Sequence, residues 1–269
     1  MINRDFHMHT YFSSDSEASL DVMVERALSL GLDEICFTDH MDIDLPGAVP
    51  GNDFLFDPDD YFEKMQKLRE QYADRIRINI GVELGLQTHI VREMEELTNK
   101  YPFDFVIGSS HVVHRKDPYY DEYFEGRSGH DAFLEYYESI LENLHAYKGF
   151  DVYGHLDYAL RYAPNKGYTL DYKEFGDVLD AILTEIVDSG LGIELNTAGL
   201  RFGMNHPNPH EDVIRRYREL GGDIITVGSD AHSPESIGYA FHKVKDILTE
   251  CGFTHYNVFH GREAVYIPL

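Results

Sequence analysis

Residues 5–40, with the sequence DFHMHTYFSSDSEASLDVMVERALSLGLDEICFTDH, contain the unit that decides the fold. Short apolar runs at Asp5–His9 and Glu34–His40 predict two β-strands. Between them, apolar residues recur at i, i+4, i+7 and i+8 from Leu20, which is the spacing of a helix packed on a sheet. A strand, a helix and a second strand in this order indicate parallel strands with the helix outside the sheet.

The same unit recurs seven times along the chain, without a dinucleotide-binding glycine fingerprint, and this favours a closed α/β barrel over an open sheet. We expect one domain over residues 1–269, because no linker or composition shift interrupts the pattern. Two polar insertions, Met41–Asp57 and Val112–Gly129, follow predicted strands and are expected on the catalytic face. The predicted strands are Asp5–His9, Glu34–His40, Arg77–Gly85, Asp104–His111, Asp151–Asp157, Gly192–Asn196 and Asp223–Asp230.

Composition limits the possible partners. The 23 basic and 48 acidic residues give a net charge of −25, which disfavours nucleic acid and anionic membranes as partners. No apolar run is long enough to span a membrane, and the N-terminus has no signal-peptide core. Cys36 and Cys251 are isolated in apolar surroundings, so we expect buried free thiols and a cytoplasmic protein.

Six of the fifteen histidines stand at or just past the ends of predicted strands, and three carboxylates join them. Any one of these histidines could be an ordinary core residue, but this explanation is weak for six histidines that all stand at strand ends. In His7-Met8-His9, side chains at i and i+2 project from one face, so both imidazoles can reach one metal. Imidazole and carboxylate ligands without thiolate suit Zn, Mn or Fe. The nine candidate ligands are His7, His9, Asp15, His40, Glu83, His111, His155, Asp230 and His232.

These residues lie in motifs that resemble, in order, those of the PHP (polymerase and histidinol phosphatase) family, and most closely its monofunctional histidinol-phosphate phosphatases. The resemblance implies a distorted (β/α)7 barrel of PHP type and a site for three divalent ions (Mn, Fe or Zn). The motifs are His7-Met8-His9-Thr10 with Ser14-Asp15, Thr38-Asp39-His40, Gly81-Val82-Glu83, Ser109-Ser110-His111, Gly154-His155-Leu156-Asp157 and Gly228-Ser229-Asp230-Ala231-His232.

The resemblance also implies how the ligands divide among the ions, with Glu83 bridging the first two. The first ion would take His7, His9, Glu83 and Asp230, the second Glu83, His111 and His155, and the third Asp15, His40 and His232.

Two arginines in predicted catalytic-face loops, Arg161 and Arg201, are expected to bind phosphate, since a guanidinium fork matches phosphate oxygens. Together with Asp230 and His232 they form the expected catalytic set. Tyr119-Tyr120-Asp121 could line the substrate pocket, with a packed surface loop as the alternative. Asp42 and Asp44 are candidates to meet a substrate amine or imidazole, with a solvated loop as the alternative.

The expected activity is therefore hydrolysis of L-histidinol phosphate to L-histidinol and inorganic phosphate, a step of histidine biosynthesis, by attack of a metal-bound hydroxide on the phosphoryl group. One alternative is a PHP phosphoesterase that acts on another small ester, such as a nucleotide, a sugar phosphate or phosphotyrosine. The other is a non-catalytic metal-binding module, which a complete ligand set disfavours. The sequence leaves the oligomeric state and the native metal open.

Overall fold

The computed structural model describes residues 2–49, 53–164 and 171–269. Residues 50–52 of the predicted insertion Met41–Asp57 therefore lie outside the described residues. Strands and helices alternate along most of these ranges. The elements are β1 (Arg4–Met8), α1 (Leu20–Ser29), β2 (Glu34–Phe37), β3 (His40–Met41), α2 (Pro58–Gln71), β4 (Arg77–Gly85), α3 (Val91–Lys100), β5 (Phe105–Ser109), α4 (Gly129–Ala146), β6 (Val152–Tyr153), α5 (Tyr172–Asp188), β7 (Gly192–Asn196), α6 (Ala198–Arg201), α7 (Glu211–Glu219), β8 (Ile225–Gly228), α8 (Phe241–Glu250), β9 (His255–His260) and β10 (Glu263–Pro268).

Seven parallel strands form the main sheet in the order β1-β2-β4-β5-β6-β7-β8, and the two-residue β3 pairs with β4. The sheet closes where the end of β1 meets the chain just after β8. There, Met8 and Ala231 form a parallel bridge, and the His9 N–H donates to the Ala231 carbonyl at 2.8 Å. The predicted (β/α)7 barrel is confirmed, and its distortion lies in the very short β6 and in closure by a bridge instead of a full ladder.

The barrel strands and their helices bury apolar faces against each other. All four residues of β2 are buried, as expected of a parallel strand covered on both faces. In α1 the buried residues are Leu20, Met23, Val24 and Ala27, so three of the four positions in the apolar spacing are buried, while the fourth, Leu28, is half-buried. Both cysteines are buried and free, as predicted. Among the described residues, no helix combines the length and apolarity that a membrane crossing requires.

The sequence patterns did not predict the antiparallel hairpin of β9 and β10. This hairpin covers the amino-terminal end of the barrel, where its Phe259 ring stacks on Phe105 at the start of β5, with 5.0 Å between centroids. Next to this contact, the Asn257 side chain accepts a hydrogen bond from the Ile225 N–H at the start of β8 (2.9 Å). One end of the barrel is thus closed, and the carboxyl-terminal end is left for a site.

A cavity of about 490 Å³ opens at the carboxyl-terminal end of the barrel strands. Both predicted insertions contribute to its wall, the first through Leu45 and Phe54 and the second through Asp117 and Tyr119. The prediction that these insertions lie on the catalytic face is therefore confirmed for their described residues.

Candidate metal centre

All nine candidate ligands lie at the carboxyl-terminal ends of strands or in the loops that follow them. The alternation of a strand places His7 and His9 on the same side of β1, while Asp230 and His232 follow β8 at the point of closure. Asp230 has φ 54°, a left-handed conformation that few residues other than glycine adopt. Its N–H donates to the His7 carbonyl at 2.8 Å, which ties this conformation to β1.

The four residues predicted for the first ion converge on one point. The Oε2 atom of Glu83 lies 3.2 Å from His7 Nε2 and 3.6 Å from His9 Nε2. Asp230 Oδ1 lies 3.8 Å from His7 Nε2 and 3.5 Å from His9 Nε2. His7, His9 and Glu83 are completely buried, so these contacts lie inside the barrel mouth.

Glu83 also faces the residues predicted for the second ion. Its Oε1 atom lies 2.8 Å from His155 Nε2 and 3.3 Å from His111 Nε2. Its two oxygens thus point toward different imidazole groups, an arrangement compatible with a bridging ligand. The bridging role itself stays a prediction.

The residues predicted for the third ion lie nearer to solvent. His232 Nε2 lies 3.1 Å from Asp15 Oδ2 and 3.5 Å from His40 Nε2. His40 is shared between groups, because its Nδ1 atom lies 3.1 Å from Glu83 Oε2. Among the described residues, four triplets have donor atoms within 4.8 Å of one another: His9–His40–His232, His7–His155–Asp230, His7–His9–Glu83 and His40–Glu83–His111.

The donor atoms at the centre of this cluster lack ordinary partners. His7 Nε2, His9 Nε2, His40 Nδ1 and Glu83 Oε2 are buried and make no hydrogen bond within the described residues. A buried polar atom without a partner costs about 1–3 kcal/mol, so four that converge would be strongly unfavourable in a purely structural role. Divalent cations would satisfy all four, and the donor set therefore fits metal ions.

The charges in the cluster are arranged for cations. Burial opposes ionisation of Glu83, but His7, His111 and His40 hold its pKa well below the ordinary value. Burial lowers the pKa of His9 well below its usual range, and the nearby His232 and His40 lower it further. A neutral His9 beside an ionised Glu83 is the combination that binds a divalent metal. Against the effect of burial, the carboxylates raise the pKa of His7, His40 and His111, so these imidazoles would release protons when a metal binds.

Three residues outside the predicted set orient the imidazoles. Glu194 on β7 places Oε1 2.7 Å from His7 Nδ1, and its Oε2 accepts a hydrogen bond from the backbone N–H of His155 at 3.1 Å. Asp42 lies 2.9 Å from His111 Nδ1, and Ser13 Oγ lies 3.0 Å from His9 Nδ1. The contacts to His7, His111 and His9 each hold one ring nitrogen and leave the other to face the cluster, as partners of metal-bound histidines do.

The missed residues carried some signal in the sequence. Glu194 stands two residues before Asn196 at the end of a predicted strand, the same alternation that singled out His7 and His9. Asp42 was considered as a substrate contact, but the structure places it against His111. Asp44 is exposed outside the cavity lining, where it pairs with Arg115 at 2.7 Å.

Arg161 and Arg201 both line the cavity, and both approach Asp230. Arg161 Nη1 pairs with Asp230 Oδ2 at 3.1 Å, and its Nε donates to Asn208 at 3.1 Å. Arg201 Nη2 donates to the Asp230 backbone carbonyl at 2.9 Å. Arg161 Nη2 and Arg201 Nε are buried and make no hydrogen bond within the described part of the chain. Two neighbouring guanidinium groups with unused N–H donors can bind an anion at the cluster.

Comparison with known proteins agrees with this geometry. The sequence pattern of the PHP domain matches residues 5–198. Histidinol-phosphatase of Lactococcus lactis subsp. lactis IL1403 is 31% identical over 258 residues, which cover 96% of this chain and 94% of that protein. A probable histidinol-phosphatase of Clostridium acetobutylicum is 32% identical over 250 residues, 92% of this chain and 93% of that one.

A crystal structure of the Lactococcus lactis histidinol phosphate phosphatase, complexed with zinc, L-histidinol and phosphate, superposes on this chain with a TM-score of 0.91. The two are 30% identical, and the match covers 98% of each chain. The PHP domain match covers most of the sequence, and the matches to the relatives cover nearly all of it. This chain therefore belongs to the PHP family.

Proposed function

We propose that this protein is a metal-dependent phosphomonoesterase that hydrolyses L-histidinol phosphate to L-histidinol and inorganic phosphate. The observation that carries the proposal is one cavity that joins a cluster of unpartnered imidazole and carboxylate donors to two arginines with unused N–H groups. A relative of the same fold has zinc, L-histidinol and phosphate bound together, which supports this choice of substrate. The reaction belongs to histidine biosynthesis, for which we propose a cytoplasmic location.

The cofactors are divalent metal ions, and we propose three per chain. In this assignment His7, His9, Glu83 and Asp230 hold the first, Glu83, His111 and His155 the second, and Asp15, His40 and His232 the third. Mn, Fe and Zn all suit imidazole and carboxylate ligands. We further propose that residues 1–269 form one phosphatase domain, because Ala231 closes the barrel onto β1 between Asp230 and His232, which complete the proposed ligand set.

The cavity residues would have separate roles in hydrolysis. Divalent ions, when bound, lower the pKa of the attacking water and neutralise negative charge on the phosphoryl group. Arg161 and Arg201 would donate their unused N–H groups to the phosphate oxygens and orient the ester. Asp230 and His232 would act as metal ligands beside the phosphoryl group, with Asp230 also holding Arg161 in place. Buried Glu194 would keep His7 and His155 aligned during turnover.

The test is a comparison of kcat/KM over a panel of phosphate esters with metal-reconstituted protein. The panel contains L-histidinol phosphate, a nucleoside monophosphate, a sugar phosphate, phosphotyrosine and p-nitrophenyl phosphate. We expect the highest value for L-histidinol phosphate. A higher kcat/KM for another ester would assign the protein to a different PHP phosphoesterase, and no turnover of any ester would favour a non-catalytic metal-binding module.

A further inference from the structure

Asn208 connects one arginine of the cavity to a carboxylate behind it. Its Oδ1 atom accepts a hydrogen bond from Arg161 Nε at 3.1 Å, and its Nδ2 atom donates to Asp157 Oδ1. Both Asn208 and Asp157 are buried, and neither belongs to the described lining of the cavity. The hydrolysis proposed above uses neither residue, so this buried polar connection needs another explanation.

The backbone holds both ends of the connection in place. The Asn208 N–H donates to the carbonyl of Asn196 at the end of β7, and the Asn196 N–H donates to the carbonyl of Asn208, each at 2.8 Å. The second oxygen of Asp157 accepts a hydrogen bond from the backbone N–H of His210 at 3.0 Å. The amide group of Asn208 is therefore a fixed part of the barrel mouth.

An amide is the side chain that suits this position. A guanidinium only donates hydrogen bonds and a carboxylate only accepts them, so the amide oxygen must face Arg161 and the amide nitrogen must face Asp157. The amide oxygen is also neutral. It can hold Arg161 without cancelling the positive charge that a phosphate would meet, whereas a carboxylate there would add a second negative charge beside Asp230.

The contact with Asn208 limits how Arg161 can pair with Asp230. Arg161 Nη1 lies 3.1 Å from Asp230 Oδ2, while Arg161 Nη2 is buried and makes no hydrogen bond within the described residues. Arginine and carboxylate groups favour two parallel hydrogen bonds when they are free to turn. Because the guanidinium is planar and rigid, holding Nε at Asn208 and Nη1 at Asp230 fixes the whole group.

We propose that Asn208 is a positioning residue for Arg161: it anchors Nε, so that Nη2 stays available to the phosphate group instead of turning to Asp230. Asp157 holds the amide of Asn208 in the orientation that this role requires. The inference rests on the proposed function, in which the phosphate of the substrate lies at the two arginines and the metal cluster.

The experiment is a double-mutant cycle of Asn208→Ala, Arg161→Ala and the double variant, each loaded with metal to the parent content as counted by elemental analysis. The measured quantities are kcat/KM for L-histidinol phosphate and the inhibition constant of inorganic phosphate. Asn79→Ala is the matched control. The buried Asn79 amide likewise accepts from an arginine, Arg77 Nε at 3.4 Å, and donates to a carboxylate, Glu34 at 2.8 Å, but it lies at the end of the barrel that the β9–β10 hairpin covers.

We expect Asn208→Ala to lower kcat/KM about 10- to 100-fold and to weaken inhibition by phosphate, because the guanidinium is no longer held in place. In the Arg161→Ala background the same replacement should change both quantities by less than about twofold, since there is no guanidinium left to position. Asn79→Ala should keep the parent values of both, although it also removes a buried amide.

Equal losses from Asn208→Ala in both backgrounds would show a structural role that does not act through Arg161, and would overturn the proposal. Undiminished kcat/KM in Asn208→Ala would overturn it as well. Asn208→Ser shortens the side chain by one bond and keeps a hydroxyl for Asp157, so it is the second variant if the alanine variant does not fold. The loss that it causes should depend on Arg161 in the same way.

Failure of the proposed function has a different signature, which would show in the parent enzyme. A kcat/KM for L-histidinol phosphate below that for another ester would change the substrate, and the same cycle measured on that ester and on phosphate inhibition would still decide the role of Asn208. A metal-loaded parent that neither hydrolyses any ester nor binds phosphate would overturn both proposals.

Discussion

Replacing Arg201 with alanine removes a guanidinium group that faces the cavity without touching a proposed ligand atom. Arg201 Nη2 donates to the backbone carbonyl of Asp230 at 2.9 Å, and its Nε is buried without a hydrogen-bond partner among the described residues. Burial lowers the pKa of Arg201, and the neighbouring Arg161 lowers it further, although a guanidinium stays protonated in proteins. An incoming phosphate dianion would relieve the repulsion between the two arginines.

The size of the effect follows from these contacts. A hydrogen bond to a charged group contributes about 1.5–3 kcal/mol. Since 1.36 kcal/mol corresponds to a factor of ten in rate, Arg201→Ala should lower kcat/KM for L-histidinol phosphate about 10- to 150-fold. Arg201→Lys should rescue little of this loss, because an ammonium cannot reproduce the fork of a guanidinium.

The assay combines steady-state kinetics with metal analysis of the same preparations. Arg201→Ala should keep the metal content of the parent, because the hydrogen bond that its side chain makes within the described residues goes to the backbone carbonyl of Asp230 and not to a proposed ligand atom. Inorganic phosphate should also inhibit the variant more weakly than the parent. Arg92→Ala is the matched control, because Arg92 is exposed on α3 and pairs only with Glu96 among the described residues.

Hydrolysis at the parent rate by Arg201→Ala with a full metal complement would refute the phosphate-binding role. Loss of metal in this variant would instead make Arg201 a structural support of the barrel mouth. Arg161→Ala should behave differently, because Arg161 pairs with the Asp230 carboxylate at 3.1 Å. Its removal should affect metal binding as well as catalysis.

Glu83→Gln should lose more than one metal ion per chain, because the two oxygens of Glu83 face different groups of imidazoles. Elemental analysis and steady-state kinetics test this, and a variant that keeps three ions and normal rates would exclude Glu83 from the site. Glu194→Gln should lower metal affinity or kcat about 10- to 100-fold, because the carboxylate that orients the His7 ring, 2.7 Å from its Nδ1 atom, is lost. Metal titration should detect the change. Glu219→Gln, at an exposed position on α7, is the control for both, and equal behaviour of all three variants would contradict the orienting role.

The barrel and the location of the site could be predicted because both depend on local patterns. The periodicity of a strand or a helix can be recognised within about a dozen residues, and the carboxyl-terminal ends of parallel strands lie at one edge of the sheet. Polar residues directly after apolar runs, such as His40 and His111, are therefore expected close together at that edge. The division of the ligands among three ions stays a prediction, because His40 and Glu83 each contact more than one group of donors.

The remaining features depend on partners that are distant in sequence. Glu194 orients His7 across 187 positions, and no local pattern joins the two. The β9–β10 hairpin packs on strand starts, so its alternation alone does not show which end of the barrel it covers. Asp42 and Asp44 are alike in sequence as loop carboxylates, and only their contacts distinguish the partner of an imidazole from a surface ion pair.

We expect divalent metal ions at the barrel mouth to be required for hydrolysis of L-histidinol phosphate. The most direct measurement is turnover of this ester by one preparation before chelation, after chelation and after metal is restored, with bound metal counted at each stage. We expect activity to disappear and to return with the metal, up to three ions per chain. The melting temperature should also be lower without metal, because free metal 100-fold above Kd stabilises the native state by about 2.7 kcal/mol. Undiminished turnover and an unchanged melting temperature in the metal-free protein would contradict this requirement.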